Sequence, residues 1–346
     1  MNAIPLIRAH AVLPFIQFLD QIGAPTERFL KQAKVPGFAL EDPEAVVPLS
    51  SSLIFLEQVA RREGIQQLGL VVGQKTAVSQ LGSFGRILCQ SLTLYDLLHT
   101  IGFMINNFSS GERFGFTLVG NQVWLQHDLV DLFPSMAIFQ ANCYSLMLYL
   151  DALRLVMGPS WQPTAVRLRG PKPKGIDCES FFNAPIYFEQ SINAIIFPCS
   201  LLSQPLKQAA KSLPEPLHPE DFQIWQQSAP AQDLSGSLKQ LLRSHLRDGQ
   251  LAIDLAASAS GMSVRSFQRR LTAEGLIYSK LVDQVRFEKA IQLLSEPTIA
   301  MVEIASDLGY TDPANFTRAF RRWTGVSPRT FRCQQMQSPD STGTLI

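Results

Sequence analysis

The sequence predicts two kinds of fold in one chain. The first is an α+β N-terminal domain, mostly helical with a small mixed sheet. The second is an all-α C-terminal domain with two helix-turn-helix units joined by a long helix. Three observations predict this. A short helix, a glycine turn and a cationic helix follow one another twice between residues 255 and 325. Helical and strand-like patterns mix through the first 200 residues. A polar, proline-rich stretch at 203–236 separates the two regions.

Length and composition set the frame. The chain has 346 residues, 46% hydrophobic and 17% charged, which suits about two soluble globular domains. In the N-terminal region, apolar spacing predicts helices near 8–21, 25–33, 49–62, 81–90, 93–107 and 134–157. Strands are expected at 112–119 and 122–128, either side of Gly120-Asn121, a hairpin signal. Further strands are expected near 164–169, 185–189 and 193–197. The most apolar stretch, 135–158, is interrupted by Gln140, Asn142, Asp151 and Arg154 and reads as a core helix, not a membrane span. The first twenty residues lack the charged, apolar and small-residue sequence of a signal peptide. No membrane association is expected.

Pro205, Pro214, Pro216, Pro219 and Pro230 lie among polar residues, the composition of a linker with one short helix around 222–227. The expected partition is 1–205, a linker at 206–233, 234–335, and a flexible tail at 336–346.

In the C-terminal region, Asp312-Pro313 is a helix start: the carboxylate accepts from orphan backbone N–H groups and proline suits the first helical position. Phe316, Ala319, Phe320 and Trp323 form an apolar face, while Asn315, Arg318, Arg321 and Arg322 fall mostly opposite. Gly325 permits a left-handed stop, and Ser327-Pro328 opens another short helix. Residues 302–308 form a preceding short helix ending at Gly309. Helix, tight turn and basic second helix make the shape that places a reading helix in the DNA major groove. Residues 255–275 repeat the plan of 304–325. Ala257 and Ala305 each stand four residues before a glycine, and Phe267-Gln268-Arg269 matches Phe316-Thr317-Arg318. Between the copies, 277–295 reads as a helix with Leu281, Val285, Ile291 and Leu294 for burial.

Charge follows the same division. Residues 234–335 hold fourteen Lys/Arg against nine Asp/Glu, a balance of +5. The net charge of +1 therefore leaves −4 on the remainder. A basic module joined to an acidic one is the electrostatic footprint of nucleic-acid binding.

Residues 234–333 resemble the DNA-binding domain of AraC/XylS-type bacterial transcription regulators. The resemblance is carried by 257–261, Ser263, 267–271, Ile304-Ala305, 308–310, 315–323, 325–328 and Phe331-Arg332. Residues 20–205 resemble the helix-rich, arabinose-binding-type N-terminal domain of the same family. That likeness rests on 47–50, 68–70, 81–85, 161–163, 181–188 and 193–197, and not on the evenly spaced strands of a cupin barrel. The resemblance implies a sequence-specific regulator, more often an activator. It implies sensing of a small-molecule effector, a homodimer, promoter DNA and RNA polymerase as partners, and a cytoplasmic, nucleoid-associated location.

Phe267 and Leu271 face inward, so Arg265, Gln268 and Arg269 project outward; the resemblance places them at base edges, with Asn315 and Arg318 as the matching pair. Arginine bonds guanine O6 and N7 together, and glutamine bonds adenine N6 and N7. Ala314 stands where many family members carry a larger polar residue. Arg270, Lys280, Arg321, Arg322 and Arg329 are assigned to phosphates, where they add affinity but little specificity.

No catalytic, metal or cofactor constellation is legible. The histidines at 10, 99, 127, 218 and 245 are scattered, and His99, on an apolar helix, reads as a core histidine. The cysteines at 89, 143, 178, 199 and 333 read as reduced thiols. Cys199 in FPCS lacks the following His-Arg that an alkyl-accepting repair thiolate would have, which makes repair a remote alternative. No effector-binding residue is singled out. Phe103, Phe108, Phe114, Phe116 and Trp124 line either a pocket or plain core. The alternative to effector control is a DNA-binding regulator governed by a partner protein or by abundance.

Overall fold

The computed structural model describes residues 3–37, 41–130, 135–173, 175–206, 215–249 and 251–337. The chain divides into two compact units at the Asp233/Leu234 boundary.

The first unit opens with β1 (Leu6–Arg8), paired antiparallel with β2 (Val46–Pro48), and a 3-10 turn at Ala9–Ala11. Helices α1 (Leu13–Gln21), α2 (Thr26–Gln32), α3 (Leu49–Arg62), α4 (Leu68–Lys75), α5 (Gly82–Leu88) and α6 (Leu94–Phe108) follow. Then come the hairpin β3 (Glu112–Val119) and β4 (Gln122–Leu129), the long α7 (Ser135–Met157), β5 (Ala165–Arg169), α8 (Glu179–Phe182), β6 (Ile186–Gln190) and β7 (Asn193–Pro198). The sheet order is β3-β4-β7-β5-β6, antiparallel except for the parallel pair β5–β6. The helix expected at 8–21 therefore starts later, because residues 6–8 are drawn into pairing with β2.

α4 was not expected. Its LGLVVGQK sequence is poor in helix formers, yet it packs closely on α7 because Gly69 has no side chain. A Cβ there would lie 1.9 Å from Gln140 O. Gly69 N also donates to Gln140 Oε1 at 2.8 Å. The polar residues that interrupt α7 are tethers. Gln140 reaches α4, Asp151 Oδ2 accepts from Val78 N at 2.7 Å, and Arg154 Nε donates to Trp161 O at 3.1 Å.

Residues 219–227 form α9 (Pro219–Gln227), whose Trp225 is buried in the first unit. Its anchor is Arg8, itself fully buried. Arg8 Nε donates to Asn107 O at 2.8 Å, Nη1 to Glu44 O at 2.6 Å and Nη2 to Trp225 O at 2.6 Å. Both terminal nitrogens lie 3.3 Å from Ser228 Oγ, and the guanidinium stacks 4.8 Å from the Trp225 ring. Burial pulls the Arg8 pKa down to about 10, with Glu44 and Asp42 opposing, so it stays charged near neutrality. The composition of 206–233 suggests a linker with one short helix around 222–227, and α9 starts three residues earlier. Trp225 gives this part of it an apolar surface and a C-terminal carbonyl to dock. Residues 207–214 lie outside the described residues.

The second unit contains α10 (Leu234–Ser244), α11 (Ile253–Ala259), α12 (Val264–Ala273), α13 (Tyr278–Leu294), α14 (Met301–Asp307), α15 (Pro313–Thr324) and α16 (Pro328–Gln337). α13 spans 17 residues, about 25 Å at 1.5 Å per residue, and packs against α10, α14 and α16. Leu238, Leu241, Leu281, Val285, Ile304 and Phe316 are buried at its centre. Phe320 meets the rings of Phe316, Phe287, Trp323 and Phe331. The tail expected at 336–346 falls mostly on 338–346, outside the described residues.

Two predictions follow from the close contacts. Gly309 has φ +71°, and an added Cβ would lie 2.4 Å from Leu246 O, whereas Gly325, at φ +80°, faces open space. Gly325→Ala should cost about 1–2 kcal/mol from left-handed strain alone. Gly309→Ala should add roughly 1–3 kcal/mol from the backbone clash, read as faster hydrogen exchange across α14 and α15. Arg8→Met removes the guanidinium donors to the Asn107, Glu44 and Trp225 carbonyls. It should cost about 3–5 kcal/mol, with exchange at 219–228 accelerated beyond that of α7.

Candidate nucleic-acid interface and interior cavity

α12 and α15 are each built by a cap and an apolar stripe. Ser263 Oγ accepts from Ser266 N at 3.2 Å at the start of α12, and Asp312 Oδ1 from Ala314 N at 2.8 Å at the start of α15. Phe267 and Leu271 are buried on α12; Phe316, Ala319 and Phe320 are buried on α15. Burial of these side chains turns the opposite faces to solvent. Arg265, Gln268 and Arg269 are exposed on α12, and Asn315, Arg318, Arg321 and Arg322 on α15. Arg265, Gln268 and Arg269 share one helical face by their spacing of three and four. On α15, Arg318 Nη2 donates to Asn315 Oδ1, so the two side chains lie together and leave the Asn315 amide N–H groups for another partner.

The residues assigned to phosphates differ among themselves. Lys280, Arg321 and Arg329 are exposed. Arg322 is paired with Asp283 of α13 at 3.0 Å, although its side chain remains 65% exposed. Arg270 is only 16% exposed at the side chain and sits 3.4 Å from Glu274. Two further arginines are structural. Arg286 Nε donates to Leu308 O at 3.1 Å and its guanidinium lies 4.2 Å from the Tyr310 ring, which holds the turn of the second unit. Arg332 donates to Leu294 O at 3.3 Å and Ile299 O at 2.9 Å beyond the end of α13.

The first unit contains a cavity of about 60 Å3. Its walls include Ile7 of β1, Phe84 of α5, Ile105 and Phe108 of α6, and Tyr144 and Tyr149 of α7. Of the five aromatic residues considered from sequence, Phe108 alone lines it. Phe103 is 78% exposed, and Phe114, Phe116 and Trp124 are half-buried. At one end stands a buried polar group. Glu112 Oε1 accepts from Tyr149 Oη at 2.7 Å and lies 3.1 Å from His127 Nδ1. Burial pushes the Glu112 carboxyl upward. The charge of His127 and hydrogen bonds from His127, Tyr149 and Ser145 outweigh that and hold it below its usual value. The Tyr149 hydroxyl is driven well up by burial and by Glu112.

His99 corrects its assignment: it is exposed on α6, with its ring 4.3 Å from Tyr95 and 5.4 Å from Phe116. The buried histidines among the described residues are His127 in the first unit and His245 in the second. Alternation along β4, with Val123, Leu125, His127 and Leu129 buried, carries the signal that places His127 inside. Cys199 is half-buried in the 3-10 turn after β7. Among the described residues, no group of three or more His, Cys, Asp or Glu is placed to hold a metal. No helix among them is long and apolar enough to cross a membrane.

Comparison with known proteins extends over nearly the whole chain. Residues 23–206 match the family described as the arabinose-binding domain of AraC transcription regulator, N-terminal, and residues 256–334 match a helix-turn-helix domain family. The ornithine utilization regulator of Pseudomonas aeruginosa is 26% identical over 340 residues, covering 95% of this chain and 96% of the relative. The transcriptional regulator VirS of Mycobacterium tuberculosis is 24% identical over 334 residues, covering 94% and 96%. The regulator VqsM of P. aeruginosa is 32% identical over 160 residues, 44% of this chain and 48% of the relative. With one family match spanning more than half the chain and the paired helix-turn-helix units following it, the chain belongs to the AraC family of DNA-binding transcription regulators.

Proposed function

We propose that this regulator reads promoter DNA through α12 and α15 together and that a small-molecule effector in the first unit controls the reading. The observation that carries the DNA reading is the pair of capped helices whose buried phenylalanines turn Arg265, Gln268 and Arg269, and Asn315 and Arg318, into solvent. On this reading these five side chains meet base edges. Lys280, Arg321 and Arg329 contact phosphates, and so does Arg322 once it exchanges Asp283 for the DNA backbone. Arg270, paired with Glu274, contributes less.

The cavity supports effector control over control by abundance or by a partner protein. Its walls and the Arg8 anchor share the same segments. Ile7 of the cavity adjoins Arg8, and Phe108 adjoins Asn107, whose carbonyl Arg8 holds. An occupant that displaces these walls acts on the anchor of α9, and six residues of chain, 228–233, separate α9 from α10. Such an effector works only through its differential affinity for two states of the regulator. The names of the relatives, among them a regulator of ornithine utilization, favour a metabolite as the signal. Activation through RNA polymerase and a cytoplasmic, nucleoid-associated location complete the reading.

A homodimer is supported by apolar side chains left in solvent on the first unit. Leu92 and Phe103 are 77% and 78% exposed, and Leu118 is 64% exposed on the edge strand β3. Phe103→Glu should shift the mass measured by light scattering toward the monomer; an unchanged dimer would move the interface elsewhere.

The DNA reading is tested by selecting genomic fragments with the full-length protein near physiological salt. Promoter fragments sharing two sub-sites about one helical turn, roughly 34 Å, apart are expected. Arg269→Ala or Arg318→Ala should cost about 1–3 kcal/mol and relax the preference at one base position. Arg321→Ala should weaken binding to all fragments alike and lower the salt slope by about one. Equal weakening on all sequences by Arg318→Ala would reassign it to the phosphates.

A further inference from the structure

The two reading helices are attached to α13 in different ways. α12 runs into it through the chain itself. Only Glu274, Gly275, Leu276 and Ile277 separate the two helices, and Leu276 N donates to Leu271 O at 2.8 Å. α15 has no such link, because residues 295–312, with α14 among them, lie between α13 and α15. The seat of α15 on α13 therefore depends on side chains.

Arg286, in the middle of α13, reaches the turn that leads from α14 to α15. Its Nε donates to Leu308 O at 3.1 Å and its Nη2 to Gly309 O at 3.5 Å, while its guanidinium lies 4.2 Å from the centre of the Tyr310 ring. A planar fork with two donors on the turn and a face on the next ring fixes distance and angle together. The turn has little freedom of its own. Gly309 packs its backbone so closely that an added Cβ would lie 2.4 Å from Leu246 O and 3.1 Å from Gly249 Cα. Tyr310 carries the position onward, its ring lying 6.0 Å from that of Phe316 on the buried face of α15.

Two other contacts join α13 to α15. Phe287 meets the rings of Phe320 and Trp323 at 6.3 and 6.0 Å; apolar burial brings helices together but is non-directional and fixes register weakly. The Arg322–Asp283 pair, at 3.0 Å, is directional but exposed, and on the reading proposed above it opens when Arg322 turns to the DNA backbone. Arg286 is the directional tie that stays in place.

We infer that Arg286 sets the distance and rotation between the two reading helices, and hence the spacing between DNA sub-sites that the regulator accepts. It does so as a positioning residue, without touching a base. This rests on the reading of α12 and α15 as paired base-reading helices, and it names the residue that fixes their register. One base pair inserted between the sub-sites moves the second by about 3.4 Å and turns it by about 35°. A reading helix on a fixed seat then misses its base edges, whereas a loosely seated one follows them.

The test uses the full-length protein and duplexes carrying the two selected sub-sites, with the DNA between them shortened or lengthened by one and by two base pairs. The unaltered protein should bind one spacing best and lose about tenfold in affinity at its neighbours, the value of one bidentate base contact. Arg286→Met keeps the apolar stem and removes the fork. It should abolish most of that preference while the base preference within each sub-site stays. Arg286→Lys keeps the charge without the planar fork and should fall between. Phe331→Leu removes the ring that meets Phe320 at 5.4 Å, so it destabilises the same unit away from Arg286 and should leave the spacing preference sharp. Thermal unfolding of each variant is followed alongside. A preference that stays sharp in Arg286→Met overturns the proposal, as does one broadened equally by Phe331→Leu. Should Arg286→Met not fold, Arg286→Lys takes its place in both comparisons. Unaltered protein that binds every spacing alike overturns the paired reading itself, and the register assignment with it. A sharp preference in the unaltered protein keeps the paired reading whichever way the Arg286 variants fall.

Discussion

A guanidinium with no solvent exposure must have its donors met inside the protein, and the first unit is arranged around meeting those of Arg8. Its acceptors come from three places distant in sequence: Glu44 before β2, Asn107 in the last turn of α6, and Trp225 with Ser228 at the end of α9. The Trp225 carbonyl belongs to the last turn of α9, where orphan carbonyls and the helix dipole both favour a cation. Apolar area alone would hold α9 loosely, since it has one fully buried side chain, Trp225. The buried charge makes the attachment directional. It specifies where α9 sits in the first unit, because any other seat would leave the guanidinium short of acceptors.

The same economy of cations separates two classes of arginine in the second unit. Arg286 and Arg332 spend their donors on backbone carbonyls beside the turns they brace. Arg265, Arg269, Arg318, Arg321 and Arg329 are exposed. The buried faces of α12 and α15 decide this: Phe267 and Phe316 point inward, and the residues three and four positions away have no core left to enter. A count of basic residues overstates the charge available to DNA. Arg322 and Arg270 already carry partners, Asp283 and Glu274, although exposed pairs of this kind are worth only about 0–1 kcal/mol and exchange readily.

Where the controlling interaction is local, the sequence was readable. Asp312-Pro313 starts α15 and Gly325 stops it, because a cap and a left-handed residue act within one turn. The β3–β4 hairpin around Gly120-Asn121 is equally local. The illegible elements depend on distant partners. β1 exists through β2, some forty residues on, and α4 is helical against a weak propensity because Gly69 lets α7 approach. His99 and His127 exchanged roles for a related reason. Helical periodicity placed His99 among apolar neighbours, but Tyr95, His99 and Phe103 share the outer face of α6. Strand alternation carried His127 inward. Glu112 gave no such sign, since its contact with His127 is diagonal across the hairpin, where Glu112 itself pairs with Leu129.

That diagonal contact also bears on how a small cavity could govern a regulator. An ionised carboxylate buried in the core is a poor stabilising device; apolar residues of similar volume usually serve stability as well or better. Its value lies in what it asks of an occupant. A purely apolar ligand gains free energy in any state that keeps the cavity, and so shifts little between states. A ligand that must also meet Glu112 gains fully only where Tyr149, Ser145 and His127 hold the carboxylate. Those groups sit on α7 and β4, and the cavity wall also includes Ile7 and Phe108, next to Arg8 and Asn107. Packed interiors yield little to compression, so a shift of Ile7 or Phe108 bears on the neighbouring Arg8 and Asn107. For the effector control proposed above, the polar end of the cavity is the part whose fit to an occupant can differ between two states.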